Sequence, residues 1–79
     1  MNDLPEPVVV LELLGRRCPL PVIELAQHIA DVAPGEVIGV HNDDAAAAVD
    51  IAAWCRMRGH EYVGARDAEA GATYLVRRV

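Results

Sequence analysis

One stretch of the chain, residues 15–21, combines residue types that could do chemistry: it reads Gly-Arg-Arg-Cys-Pro-Leu-Pro. Proline has no backbone N–H, and its fixed φ suits the first turn of a helix, so Pro19 and Pro21 predict a helix that begins beside Cys18. The N-terminal end of a helix carries partial positive charge, which lowers the pKa of a nearby thiol. The stretch therefore predicts that Cys18 is the functional residue and that it reacts as a thiolate.

Three charged residues close to Cys18 in the sequence have more than one interpretation. Arg16 and Arg17 are either solvated loop charges, activators of the thiolate or contacts to a partner. Glu12 interrupts an apolar segment, where it could face solvent, hold the loop or tune the thiol. The sequence leaves these alternatives open. The prolines and arginines do argue against a Cys18 that only fills space in a core.

The second cysteine has a different context. Cys55 lies on the apolar side of a predicted helix, which favours a buried, space-filling role over that of a resolving thiol. We expect two free thiols and no disulfide. No Cys-x-x-Cys pair is present and the three histidines share no ligand spacing, so we expect no metal and no other cofactor.

Other polar residues have structural interpretations. Asp43 and Asp44 are expected to cap the second helix. Asp50 is expected to be a solvated helix residue. Trp54 is expected at the margin of the core rather than in a docking surface.

The composition limits the classes of function. The net charge is −5 and the chain has no lysine, so it lacks the basic surface that nonspecific nucleic-acid binding needs. No apolar run is long enough to cross a membrane, and the acidic, proline-rich residues 1–7 are unlike a signal peptide. We therefore expect a cytoplasmic protein with no direct contact to nucleic acid or membrane.

Apolar spacing predicts six elements in a single domain at 8–79, after a flexible lead-in at 1–7. They are a strand at 8–14, a helix at 20–32, a strand at 36–41, a helix at 45–58, and strands at 60–66 and 72–79. The first two strands should form a parallel pair with a right-handed crossover, and the last two an antiparallel hairpin. The first strand has little polar character and is predicted to be central. This order, β-α-β-α-β-β, predicts an α/β (α+β) fold.

Residues 11–21, Leu-Glu-Leu-Leu-Gly-Arg-Arg-Cys-Pro-Leu-Pro, resemble the signature of the TusA family of sulfur carriers, also called SirA-like. That signature is an apolar strand with an acidic residue, then Gly-x-x-Cys-Pro-x-Pro, then a helix. The resemblance continues at 34–36, 42–44, 50–55 and 59–61, and it implies that the acidic loop with Asp43 and Asp44 lies near the family cysteine. It implies a two-layer α/β sandwich in which two helices cover one face of a four-stranded mixed sheet.

The resemblance also implies a chemistry and partners. The family cysteine accepts a sulfane sulfur, so Cys18 would be the persulfide carrier. The surrounding motif residues would support it: Glu12, Gly15, Arg16, Arg17, Pro19 and Pro21. A cysteine desulfurase or another persulfide donor would load Cys18. A downstream acceptor protein of tRNA thiolation, cofactor synthesis or sulfur metabolism would then receive the sulfur from a monomeric carrier.

The leading hypothesis is therefore a sulfurtransferase-type persulfide relay rather than a stand-alone enzyme. Such transfer needs a thiolate at ambient pH but no acid–base dyad, since the entering and leaving groups are both sulfur. We expect the N–H groups of Leu20 and Val22 to face that sulfur. One alternative is a regulatory or protein-interaction module of the same fold, in which the pKa of Cys18 is ordinary or raised. Another, an RNA-binding module by analogy of fold, conflicts with the negative charge.

Overall fold

The structure is a computed structural model that describes residues 4–79. Its regular elements follow the predicted order: β1 (Val9–Glu12), α1 (Leu20–His28), β2 (Val37–Asn42), α2 (Ala46–Arg58), β3 (Glu61–Asp67) and β4 (Ala72–Arg77). A 3-10 turn, Ile29–Asp31, extends α1. Neither helix in this part of the chain has the length and apolar character needed to cross a membrane.

The four strands form one mixed sheet in the spatial order β1-β2-β4-β3. β1 and β2 are parallel, whereas β4 runs antiparallel to both β2 and β3. Both the parallel pair and the hairpin agree with the prediction from the sequence. The predicted fold class, with a four-stranded mixed sheet and two helices, is confirmed.

The prediction that the first strand is central is wrong. Within the described chain, β1 lies at the edge of the sheet and pairs only with β2, because β4 occupies the other side of β2. Its apolar side chains are partly buried, on one face only. Val9 and Leu11 pack against the core, while Val10 is 39% exposed. A run of β-branched residues therefore indicates a strand here but says little about the strand's place in the sheet.

Both helices lie on the same face of the sheet and close one small core. Leu25 of α1 and Ile51 of α2 are fully buried together with Ile38, Val40 and Val76 of the sheet. These side chains are branched and of moderate size, as the absence of phenylalanine requires. α1 packs on β2, α2 packs on β3 and β4, and the two helices contact each other side by side.

α1 begins where the two prolines predict, with Pro19 as its N-cap residue and Pro21 in its first turn. It ends earlier than predicted, at His28, where the 3-10 turn takes over. Nδ1 of His28 forms a hydrogen bond of 2.7 Å with Oδ2 of Asp31 in this turn. The helix cannot continue far beyond it, because Pro34 disfavours the helical region for the residue before it.

The predicted lead-in, residues 1–7, falls partly outside the described residues; only its last four residues belong to them. Within these four, Oε2 of Glu6 accepts a hydrogen bond of 2.9 Å from the guanidinium of Arg66 in β3. The ring of Pro7 lies so close to Gly39 of β2 that a Cβ atom on this glycine would be 3.4 Å from it. The end of the lead-in therefore contacts the sheet.

Candidate functional site around Cys18

The loop between β1 and α1 presents Cys18 at the protein surface. The residue directly precedes Pro19, the N-cap residue of α1, through a cis peptide bond. Its Sγ atom lies 2.6 Å from Oδ2 of Asp50, in α2. The expectation that Asp50 is merely a solvated helix residue is therefore wrong. Sequence reasoning missed this contact because the two residues are 32 positions apart and meet only when the helices pack side by side.

Asn42, the last residue of β2, holds the first half of the cysteine loop. Its side chain is fully buried, and its amide donates hydrogen bonds to the carbonyl oxygens of Leu13 at 2.7 Å and Arg16 at 2.9 Å. Its own Oδ1 accepts the N–H of Asp44 at 2.9 Å. Both donors and the oxygen of this buried amide bind backbone groups, which ties the cysteine loop to the end of β2.

The next two residues add further hydrogen bonds to the same loop. Oδ1 of Asp43 accepts the N–H of Gly15 at 3.0 Å, and Oδ2 of Asp44 accepts the N–H of Cys18 at 3.1 Å. Oδ1 of Asp44 also accepts the N–H of Ala46, the first residue of α2, at 3.0 Å, so Asp44 binds the start of this helix although Ala45 is its N-cap residue. For Asp43 the predicted capping role is not found; it binds the cysteine loop. We name residues 42–44 the Asn-Asp-Asp clamp.

The topology explains why the clamp meets the cysteine loop. β1 and β2 are parallel neighbours, and their register pairs Glu12 with His41 at the ends of the two strands. Parallel neighbouring strands end at the same edge of a sheet, so the loops that follow them leave side by side. One loop carries the cysteine and the other carries the clamp.

The electrostatic surroundings of the thiol are acidic. The hydrogen bond to Asp50 raises the pKa of Cys18 above its ordinary value, and the charge of Asp44 acts in the same direction. This is opposite to the direction predicted from the helix terminus, because a carboxylate in direct contact outweighs the partial charge of a helix end. The N–H of Leu20, expected to face the sulfur, instead donates to the carbonyl of Arg17 at 2.8 Å.

Arg16 and Arg17 are exposed, and neither guanidinium forms a hydrogen bond or ion pair with a residue in the range 4–79. The pKa of Asp44 lies below its ordinary value because its carboxylate accepts two backbone N–H groups, with a smaller contribution from the charge of Arg17. Of the three interpretations of these arginines, direct activation of the thiolate gains no support. Their charges are free for contacts outside this domain.

Glu12 does not contact the thiol but pairs with a histidine. Its Oε1 lies 2.6 Å from Nδ1 of His41, while Nε2 of His41 lies 2.9 Å from the carbonyl oxygen of Ala70. Both ring nitrogens face acceptors, an arrangement that only the protonated imidazolium satisfies fully. The hydrogen bond to Glu12, with that to Ala70, raises the pKa of His41 above its ordinary value. The pair links β1, β2 and the loop between β3 and β4.

This raised pKa predicts a loss of stability as the pH rises. The stabilisation from His41 is fully present below the unfolded-state pKa of about 6.5 and disappears as the pH passes through the folded-state value. We therefore expect the free energy of unfolding, measured with urea, to fall as the pH rises above about 6.5. Glu12→Gln removes the carboxylate that contributes most to the raised pKa of His41. The free energy of unfolding of this variant should therefore fall less steeply as the pH rises. An equally steep decrease in the variant would contradict the assignment.

An open, mostly apolar groove of about 260 Å³ runs from Cys18 along the contact between the two helices. Its lining residues are Cys18, Pro19, Val22, Asp50, Ala53, Trp54 and Met57. Met57 is 76% exposed, whereas Trp54 is buried and stacks on His60 with a ring distance of 5.2 Å. The burial of Trp54 agrees with its predicted place at the core rather than on a docking surface.

Cys55 is unsuited to thiol chemistry. It is 1% exposed, and burial raises its pKa to about 11. Its predicted burial on the core face of α2 is confirmed, and both cysteines are free thiols. Residues 4–79 contain no group of three or more His, Cys, Asp or Glu side chains that could hold a metal ion.

An exposed cysteine at the start of the first helix of a β-α-β-α-β-β sandwich defines a class of small thiol-presenting domains. The chain belongs to the TusA family: residues 9–78 match the family described as sulfurtransferase TusA. The predicted family is thereby confirmed. Membership of this family supports a role as a sulfur carrier.

Two proteins illustrate the similarity. The chain is 36% identical over 56 residues to a Bacillus subtilis protein named "Putative sulfur carrier protein YrkF"; the match covers 71% of this chain but only 30% of that protein. The chain thus spans less than a third of that relative's length. A crystal structure of a SirA-like protein from Desulfitobacterium hafniense superposes with a TM-score of 0.72 at 18% identity, covering 89% of this chain and 95% of that chain. This second similarity shows the shared fold.

Proposed function

We propose that the protein carries sulfur as a persulfide on Cys18, loaded by a cysteine desulfurase or another persulfide donor and unloaded by an acceptor protein. The single observation that best supports Cys18 is the contrast between the two thiols. Cys18 is exposed on a loop held by the Asn-Asp-Asp clamp, whereas Cys55 is buried with a raised pKa. A carrier must present its sulfur to two partners in turn, and only Cys18 can do so.

The loading step is a thiol–persulfide exchange. Sγ of Cys18 attacks the outer sulfur of the donor's R–S–SH group, the donor's S–S bond breaks, and R–SH leaves with the proton that Cys18 gives up. The products are R–SH and Cys18–S–SH, so sulfur and electron counts balance without a cofactor. Delivery to the acceptor is an exchange of the same kind. A thiol of the acceptor attacks the outer sulfur of Cys18–S–SH, and Cys18 is now the leaving thiol.

The net charge of −5 supports protein partners rather than nucleic acid. The exposed guanidinium groups of Arg16 and Arg17 offer positive charge on the loop that carries Cys18. A donor or acceptor with acidic residues around its own cysteine would complement them. Acceptors in tRNA thiolation, cofactor synthesis and sulfur metabolism all fit this chemistry. The cytoplasmic location and the monomeric state stay predictions from the sequence.

The acidic surroundings of the thiol favour a second candidate. A regulatory or protein-interaction module of the same fold would have an unreactive Cys18, and the contact with Asp50 does raise the pKa of this thiol. The two candidates differ in whether sulfur is ever bound. A direct loading experiment therefore separates them.

Incubation with a cysteine desulfurase and cysteine is expected to add the mass of one sulfur atom to the wild-type protein. Intact-mass spectrometry under non-reducing conditions is the measurement. Cys18→Ala should show no addition, since the only exposed thiol is then missing. The matched control is Cys55→Ala, which removes the buried thiol and should load like the wild type. Sulfur on Cys18→Ala, or on none of the three proteins with any persulfide donor, would contradict the proposal.

A further inference from the structure

The contact between Cys18 and Asp50 requires a proton between the two atoms. Sγ and Oδ2 are 2.6 Å apart, and a thiolate and a carboxylate at this distance would repel each other without any compensating charge. The geometry is that of a protonated thiol that donates a hydrogen bond to an ionised carboxylate. The structure thus shows Cys18 as a protonated thiol.

The same contact is chemically impossible once sulfur is bound. In Cys18–S–SH the Sγ atom is bonded to Cβ and to the outer sulfur, so it carries no hydrogen to donate. The outer sulfur of a persulfide is a stronger acid than a thiol and is anionic under conditions where the thiol is not. Asp50 would then face a negative charge where it had faced a donor, and the attraction becomes a repulsion.

We propose that Asp50 distinguishes the empty carrier from the loaded one: it holds the empty thiol protonated against α2 and turns the persulfide away from α2. That Asp50 holds the thiol protonated follows from the geometry of the contact alone. That Asp50 turns the persulfide away from α2 rests on the proposed function. Asp50 contacts the reacting atom itself, but its role is to set the protonation and direction of the sulfur rather than to supply a group to the reaction.

The surrounding contacts confine the movement to the cysteine side chain. The N–H of Cys18 donates to Oδ2 of Asp44 at 3.1 Å, which holds the backbone at this position. The charged groups that face the thiol are Asp50 from α2 and Asp44 from the loop after β2, whereas Arg17 on the cysteine loop acts on the carboxylate of Asp44. Rotation about the Cα–Cβ bond takes the sulfur away from Asp50 and towards solvent, where a partner can reach it.

The arrangement has a consequence for the empty carrier. A thiol held in its protonated form is a poor nucleophile, so alkylating and oxidising reagents should attack Cys18 slowly at neutral pH. A donor protein must first separate the thiol from Asp50, which ties ionisation of Cys18 to docking. In the exchange written above, the proton that Cys18 releases leaves on the donor's R–SH.

The test is the pH dependence of Cys18 alkylation by iodoacetamide, in the Cys55→Ala background so that only Cys18 is labelled. Asp50→Asn keeps the size of the side chain and removes its charge, and Asp50→Ser serves as a second variant. Both should shift the alkylation profile to lower pH. Each unit of decrease in the thiol pKa should raise the rate at neutral pH about threefold, because a tenfold gain in thiolate is partly offset by weaker nucleophilicity.

The matched control is Asp67→Asn, which changes the net charge equally at the exposed end of β3 and should leave the profile unchanged. An unchanged profile in both Asp50 variants, or an equal shift in Asp67→Asn, would overturn the proposal. Alkylation needs no sulfur donor, so it reports on Asp50 even if Cys18 never carries sulfur. Conversely, the mass-spectrometric loading experiment on the wild type is decided without any change at Asp50.

Discussion

Asn42→Ala is expected to lower the free energy of unfolding by about 2–4 kcal/mol and to release the loop that carries Cys18. The amide of Asn42 is fully buried and supplies hydrogen bonds to two carbonyl groups of this loop. Alanine would leave these groups without their donor, and buried polar groups without a partner are costly. Urea unfolding measures the stability, and amide hydrogen exchange at 13–18 measures the loop.

The matched control is the neighbouring substitution Asp43→Ala. It removes one hydrogen bond from the same clamp, but at an exposed position where water replaces the carboxylate. We expect it to lower the stability by about 0.5–1.5 kcal/mol. Equal losses in the two variants, or unchanged exchange at 13–18 in Asn42→Ala, would show that the buried amide does not hold the loop.

Gly71→Ala is the second substitution with a large expected effect, a loss of about 2–4 kcal/mol. Gly71 has a φ of +67°, which side chains rarely adopt, and a Cβ atom there would overlap the carbonyl oxygen of Asn42 and lie 2.6 Å from Cα of Asp43. The obstruction is backbone, which cannot rotate aside as a side chain could. The loop before β4 must therefore move away from the clamp.

Gly59→Ala separates the effect of the positive φ from the effect of the collision with the backbone. Gly59 ends α2 with a φ of +79°, and a Cβ atom there would meet nothing within 4 Å. Alanine at this position adds backbone strain without a collision, so we expect a loss of only about 1 kcal/mol. Thermal or urea unfolding of both variants tests the difference. A loss in Gly71→Ala no larger than that in Gly59→Ala would contradict the proposed close packing.

The two large effects converge on the same structural element. Asn42 holds the cysteine loop on one side of the clamp, and Gly71 packs against the clamp backbone on the other. The adjacent carbonyl of Ala70 accepts the hydrogen bond from His41. The loop between β3 and β4 contributes no residue to the groove at Cys18. It supports the position of the sulfur indirectly, through its contacts with the clamp and with His41.

Much of the fold follows from local pattern in the sequence. Pro19 and Pro21 place the start of α1 correctly, since their effect on φ and on the missing N–H acts within one helical turn. Gly59 likewise marks the end of α2 through its own backbone. The edge position of β1 does not follow from local pattern. It depends on which strand pairs with the other side of β2, and the residues of β1 do not indicate that strand.

The candidate site also has properties that depend on local sequence and properties that depend on tertiary structure. The sequence by itself determined which sulfur could act: Cys18 follows a turn and precedes two prolines, while Cys55 falls on an apolar helical stripe, and both properties are local. Only the tertiary structure decided the chemical surroundings of that sulfur. Asp50 and Asp44 approach Cys18 from 32 and 26 positions away because helix packing and parallel strand pairing bring them there. A pKa depends on charges within a few ångströms in space, so its direction at Cys18 could be found only after the chain was folded.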